Sequence, residues 1–207
     1  MDAMKSLIPE MTEEDIETVT KNCGLHGDYE SKVFNFKGRT LGGLGCPLCL
    51  KEEALEQAKR ESHNKWQDRV GKINRDLNNP TLPPRFKDKQ LTDYIAENAG
   101  SIKALSTCNK YADNFAGRLE SGGGLIMCGQ AGTGKTHLAS GIINKIKSQR
   151  FTTAFMSVLG ATWHVKSTYS KDNPLTESEA INHFIGPDLL ILDEVGVQFG
   201  SEAEKII

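Results

Sequence analysis

The segment Gly129-Gln130-Ala131-Gly132-Thr133-Gly134-Lys135-Thr136 constrains this chain more than any other stretch, because it matches G-x-x-x-x-G-K-[ST]. Each part of the pattern has a physical reason. Glycines let the backbone wrap an anion with its N–H groups turned inward. A helix that opens immediately afterwards aims its positive end at the same anion. The ammonium of Lys135 reaches the β- and γ-phosphates, and the hydroxyl of Thr136 ligates Mg²⁺. Average residue usage would produce the pattern in on the order of one chain in a hundred of this length. The flanks make chance a poorer explanation still. Leu125-Ile126-Met127-Cys128 reads as a short parallel strand buried on both faces, and Leu138, Ile142, Ile143 and Ile146 give an apolar stripe to a helix over Thr136–Ser148.

A second apolar run, Leu189-Leu190-Ile191-Leu192, ends in Asp193-Glu194. A carboxylate at the end of a buried strand is costly for structure alone, but beside a phosphate site it has a use. Asp193 would hold Mg²⁺, largely through water, and Glu194 would act as general base on the attacking water. The predicted catalytic residues are therefore Lys135 and Glu194, with Asp193 and all of residues 129–136 holding the nucleotide. The adjacent Asp-Glu resembles the branch of P-loop proteins that includes the AAA+ ATPases. There is no Asn-Lys-x-Asp of the kind GTPases use, so ATP is the expected nucleotide. Residues 152–158 read as another strand, and Leu91–Ala99, Ile102–Phe115 and Thr176–Ile185 as helices, the last with Thr176 and Glu179 forming a capping box. Alternation of strands and helices predicts an α/β fold with a parallel sheet.

The N-terminal part follows different rules. Cys23-Gly24-Leu25-His26 and Cys46-Pro47-Leu48-Cys49 are two ligand pairs, each with two residues between its members, which can close a tetrahedron around Zn²⁺. Tyr29–Phe36 alternates and suits a hairpin strand between them. So few large apolar groups over 50 residues can hardly form a core alone, and a structural zinc would supply what is lacking. Packed free thiols, or a redox pair at Cys46 and Cys49, are the alternatives. Cys108 and Cys128 fall outside the spacing and read as packed thiols, and His63, His137, His164 and His183 follow no ligand pattern. Trp66, Val70, Ile73 and Leu77 form one helical stripe, which either packs on its own domain or meets a partner. Asn79-Pro80-Thr81-Leu82-Pro83-Pro84 marks a boundary. The expected organisation is a zinc-ribbon-like module over 1–50, a helical linker or partner helix over 51–79 and a P-loop core over 80–207. A net charge of −2, with 25% charged and 38% hydrophobic residues, excludes binding to nucleic acid through bulk positive charge and leaves local basic sites. No apolar run nears the ~20 residues of a membrane span, and the N-terminus lacks a signal-peptide pattern, so a cytoplasmic protein is expected.

Together these residues resemble the DnaC-like replicative helicase loaders, especially those of phages and prophages. The likeness rests on the Cys23/His26 and Cys46/Cys49 cluster, Pro83-Pro84-Arg85-Phe86 with Tyr94, the P-loop, Asp193-Glu194-Val195-Gly196 and Gly196-Val197-Gln198-Phe199-Gly200. It implies an AAA+ core, an N-terminal module that grips the hexameric replicative helicase, ATP-controlled self-association and a role on single-stranded DNA. It places Arg85-Phe86 near the adenine and suggests Trp163, Lys166, Tyr169 and Lys171 as a DNA-contacting mixture of rings and charges. The family also carries a further strand with a polar sensor residue, an arginine finger and a second sensor, which do not occur in residues 1–207. Their absence implies a core truncated after the Asp193 strand, impaired hydrolysis, and a sheet that either has a gap beside the P-loop strand or pairs its flanking strands directly. The competing readings are a transposition-type ATPase of the same fold and a non-enzymatic adaptor whose ATPase half is a remnant.

Overall fold

A computed structural model describes residues 16–36, 39–43 and 45–196. The segment 197–200 of the Gly196–Gly200 motif lies outside the described residues. The chain divides into two compact units, residues 1–62 and 63–207. Among the described residues no helix is long and apolar enough to cross a membrane.

The first unit holds an antiparallel sheet of β1 (Ile16–Cys23), β2 (Gly27–Phe36) and β3 (Arg39–Gly42). Cys23 pairs with Gly27, so Gly24-Leu25-His26 is the whole turn between β1 and β2. Gly27 closes it at φ +79°, a conformation other residues resist. The 30-residue helix α1 (Pro47–Asp76) begins directly after Cys46. Proline suits that first position because its missing N–H would have no helical partner there. The helix stops where Asn78 and Asn79 turn left-handed, just ahead of Pro80.

The second unit is built on a parallel pair, β4 (Thr153–Ser157) and β5 (Leu189–Asp193), in the register Ala154↔Leu190 and Phe155↔Ile191. Strand alternation sends these two pairs to opposite faces. Phe155 and Ile191 pack on Ala139 and Ile143 of α4 (Lys135–Ser148). Ala154 and Leu190 pack on Ile73 and Leu77, together with Phe184. Both faces are thus covered by apolar side chains, as parallel pairing requires. The Trp66–Leu77 stripe accordingly belongs to this α/β unit. It is further held where Trp66 Nε1 donates to the Phe151 carbonyl at 3.3 Å and Arg69 Nη2 to Asp188 Oδ1 at 2.7 Å. Burial pushes the Asp188 carboxyl up, but hydrogen bonds from Arg69 and from the Thr152 N–H and hydroxyl outweigh it and hold the group below the usual carboxylate range.

The other face of α4, Leu138, Ile142 and Ile146, packs on Cys108, Tyr111 and Ala112 of α2 (Ala99–Asp113) and on Phe115, which opens α3 (Phe115–Ser121). The elements α5 (Val158–Lys166) and α6 (Glu177–His183) complete the unit, and Thr176 and Glu179 form the expected reciprocal cap.

Three expectations need correction. Leu125–Cys128 is not a strand in any described ladder. Leu125 and Met127 pack toward α4, whereas Ile126 is 88% exposed and Cys128 is also exposed. Its apolar residues are covered on one side only, and β5 pairs with β4 alone among the described residues. Of the two sheet outcomes expected, direct pairing of the flanking strands is therefore not seen. Cys128 is not a packed thiol, although Cys108 is. The helix expected over 91–99 is a single 3₁₀ turn (Leu91–Asp93) followed by extended residues. Asn98 ends the extended stretch by capping α2, accepting from Ser101 N.

Gly141 lies mid-helix in α4, where a Cβ would meet the backbone N of Leu91 at 2.6 Å. On either side of it, Ser140 Oγ bonds the Phe86 carbonyl and Asn144 Nδ2 donates to the carbonyls of Lys87 and Lys89 at 3.0 and 2.8 Å. Gly141→Ala gains about 1 kcal/mol of helix propensity but forces the 86–91 segment outward, at about 1–3 kcal/mol. A net fall in thermal stability is expected, measured by a melting curve. An unchanged or raised Tm would show that this contact gives way freely.

Candidate functional site

The glycine-rich loop that starts at Gly129 hangs between residue 128 and α4. Gly132 and Gly134 take φ +82° and +83°, so the turn depends on glycine at both points. Lys135 Nζ donates to the carbonyls of Gly129 and Gln130 at 2.9 and 2.8 Å. Thr133 Oγ1 also donates to Gln130 O, at 2.9 Å. Across the site, Thr136 Oγ1 donates to Asp193 Oδ2 at 2.9 Å. Asp193 Oδ1 accepts from the N–H of Glu194, and Glu194 stands left-handed at φ +61°. Thr136, at the end of the loop, and Asp193 are thus brought together at one end of β5, with Glu194 next in the chain.

A cavity of about 890 Å³ opens beside the loop, bordered by Tyr94, Asn98 and Ser101 on one side and Gly132, Gly134 and Lys135 on the other. Tyr94 Oη donates to the Thr133 carbonyl at 3.0 Å, and its ring lies so close that a Cβ on Gly134 would meet Tyr94 Cε2 at 2.6 Å. His137 meets the same ring edge-on, with centroids 5.6 Å apart. Arg85 and Phe86, expected near the base, do not line this cavity. Tyr94 supports the loop from outside the motif. Its position within a short segment that touches the loop could have been suspected only from the family pattern.

The second candidate site lies wholly in the first unit. The ligand atoms of Cys23, His26, Cys46 and Cys49 all fall within 4.8 Å of one another. His26 Nδ1 stands 3.7, 3.7 and 3.3 Å from the sulfurs of Cys23, Cys46 and Cys49, and the Cys23 and Cys49 sulfurs are 3.5 Å apart. Four donors around a tetrahedral ion with metal–sulfur bonds of about 2.3 Å and a metal–nitrogen bond of about 2.0 Å would be separated by about 3.5–3.8 Å. The donor set therefore fits such an ion. The tight β1–β2 turn supplies Cys23 and His26, and the first turn of α1, with the residue before it, supplies Cys49 and Cys46. The positive end of that helix favours thiolates.

The thiols respond unequally to this crowding. N–H groups of Leu25 and His26, followed by the His26 side chain, pull Cys23 down to about 6. Cys49, sharing a hydrogen bond with Cys23 beside its developing charge, is pushed up to about 12. Three sulfurs this close cannot all become thiolates without a cation among them. One neighbour escaped the sequence reading. Glu52 places Oε1 3.3 Å from His26 Nε2. Its only sequence signal is that it follows Cys49 by three residues.

With the fold and both sites in view, the chain is similar to replicative helicase loaders. It is 30% identical over 157 residues to the replicative helicase loader DnaC of Escherichia coli (strain K12), covering 76% of this chain and 61% of the relative. It is also 30% identical over 141 residues to DnaC of Buchnera aphidicola subsp. Baizongia pistaciae (strain Bp), covering 68% and 56% respectively. The uncharacterized protein YdaV of Escherichia coli (strain K12) is 26% identical over 152 residues, 73% of this chain and 59% of the relative. The chain thus spans about three fifths of the length of the curated relatives it matches. No family model matches it.

Proposed function

We propose that this chain is an ATP-binding DNA replication protein that helps to load the replicative helicase onto single-stranded DNA. The observation that carries the reading is the approach of Thr136 to Asp193 at the mouth of a glycine-turned loop, joined to similarity with the loader DnaC over 76% of the chain. In this reading, backbone N–H groups of residues 129–136 and the Lys135 ammonium bind the triphosphate. Thr136 and Asp193 hold Mg²⁺, which when bound offsets the phosphate charge. Glu194, exposed next to Asp193, is placed to accept a proton from an attacking water. Lys135 Nζ, which donates to the carbonyls of Gly129 and Gln130, would turn to the phosphate oxygens on binding.

Cys23, His26, Cys46 and Cys49 would hold a structural Zn²⁺. Four protein donors complete a tetrahedron and leave no position for substrate. The zinc-bearing N-terminal module is the part proposed to grip the helicase, and the α/β core the part that self-associates under ATP control. Trp163 at 69% and Tyr169 at 66% exposure, with exposed Lys166 and Lys171 in the same stretch, support single-strand contacts by stacking and charge.

The test is co-purification with the hexameric replicative helicase of the host. The wild-type chain is expected to be retained with ATP and Mg²⁺. Failure of retention under every nucleotide condition would refute the loader assignment. Retention by residues 1–78 alone, indifferent to ATP, would favour an adaptor.

A further inference from the structure

We propose that Glu52 is a positioning residue for the metal site. Its carboxylate takes the Nε2–H of His26 and so fixes the imidazole in the tautomer whose Nδ1 faces the three cysteine sulfurs. The inference rests on the metal-binding reading of the Cys23/His26/Cys46/Cys49 cluster and deepens it by naming the ligating nitrogen and the group that selects it.

The geometry divides the two ring nitrogens cleanly. Nδ1 lies within 3.7 Å of all three sulfurs, whereas Nε2 lies 3.3 Å from Glu52 Oε1. A neutral imidazole carries one N–H and one lone pair, and an ionised carboxylate can only accept. A carboxylate beside Nε2 therefore places the proton there and leaves the Nδ1 lone pair toward the sulfurs. Either choice would otherwise be open to a histidine in a three-residue turn. A histidine ligand whose second nitrogen donates to a carboxylate is held in orientation and made more basic.

The placement comes from the helix. Cys49 and Glu52 are three residues apart on α1, hence neighbours on one face. Sulfur ligand and helper carboxylate thus arrive on the same element, and His26 is set between them. Glu52 is 65% exposed and the His26 side chain 19%. As a plain surface ion pair their contact would add little to the fold. A tautomer-fixing role predicts a different readout, one in metal affinity.

The experiment uses the full chain and Zn²⁺, with affinity measured by competition against a chromophoric chelator. Wild type should bind one Zn²⁺ per chain. Glu52→Ala should weaken binding by about 10–100-fold. Glu52→Gln keeps a carbonyl acceptor and should recover most of the loss, and Glu53→Ala, one residue along and exposed, should match wild type. In the zinc-loaded protein, ¹⁵N spectra of the imidazole should show Nδ1 metal-bound and Nε2 protonated, with the Nε2 proton exchanging faster in Glu52→Ala. Wild-type affinity in Glu52→Ala, or zinc on Nε2, would overturn the role given to Glu52 and leave the metal site standing. A wild-type chain that binds no zinc would overturn the metal site and this inference with it.

Discussion

Lys135→Ala is expected to weaken Mg²⁺-dependent ATP binding by about 10–150-fold while leaving the fold intact. The lysine donates two hydrogen bonds, both to loop carbonyls, Gly129 O and Gln130 O. Those groups lie in an exposed loop, so water replaces the ammonium at small cost. With a triphosphate bound, the same ammonium meets fixed anionic oxygens. A hydrogen bond to a charged group contributes about 1.5–3 kcal/mol, so losing one such contact weakens binding by about 10–150-fold. Titration calorimetry with MgATP, alongside a thermal melt, checks both halves of the expectation. Wild-type affinity in the variant would remove the phosphate-site reading. A collapsed melt would mean that the lysine is structural instead.

Removing metal should unfold the first unit and spare the second. Among the described side chains of residues 16–62, the buried hydrophobics are Val33 and Cys46. That is far less apolar burial than a small sheet needs to stand alone. A structural zinc contributes about 10–16 kcal/mol in small finger domains. The second unit has its own packed layers around α4 and the β4–β5 pair and shares none of the four ligands. A strong chelator, or Cys49→Ser, should therefore erase the dispersed backbone NMR signals of β1 and β2 while the unit from residue 63 onward keeps its cooperative transition. A metal-free protein whose hairpin stays folded would refute this.

What could be read from the residues alone was chemistry that fixes its own spacing. A loop that encloses phosphate needs glycines at set intervals, and the metal donors need pairs close in sequence. Both patterns survive whatever surrounds them. Features that depend on a distant partner were misread. Leu125–Cys128 has a strand's composition, but a strand exists only through a neighbour, and β5 gives its described pairing to β4. Leu91–Ala99 has helical spacing, yet Tyr94 is drawn out to reach the Thr133 carbonyl, and Asn98 starts α2 afresh. Glu52 was one acidic residue among several on a charged helix. Only the folded turn at His26 distinguishes it.

The two-sided packing of β5 also sets its tolerance to evolutionary change. Leu189 and Ile191 point to one helix layer and Leu190 to the other, and Asp193 keeps phase with that alternation where it meets Thr136. Gain or loss of one codon inside these five residues would put the side chains on its two sides out of phase and turn the carboxylate away from the face that Leu189 and Ile191 hold. Length variation among descendants of this chain should therefore accumulate in surface connections such as residues 170–175 and be purged from the strand.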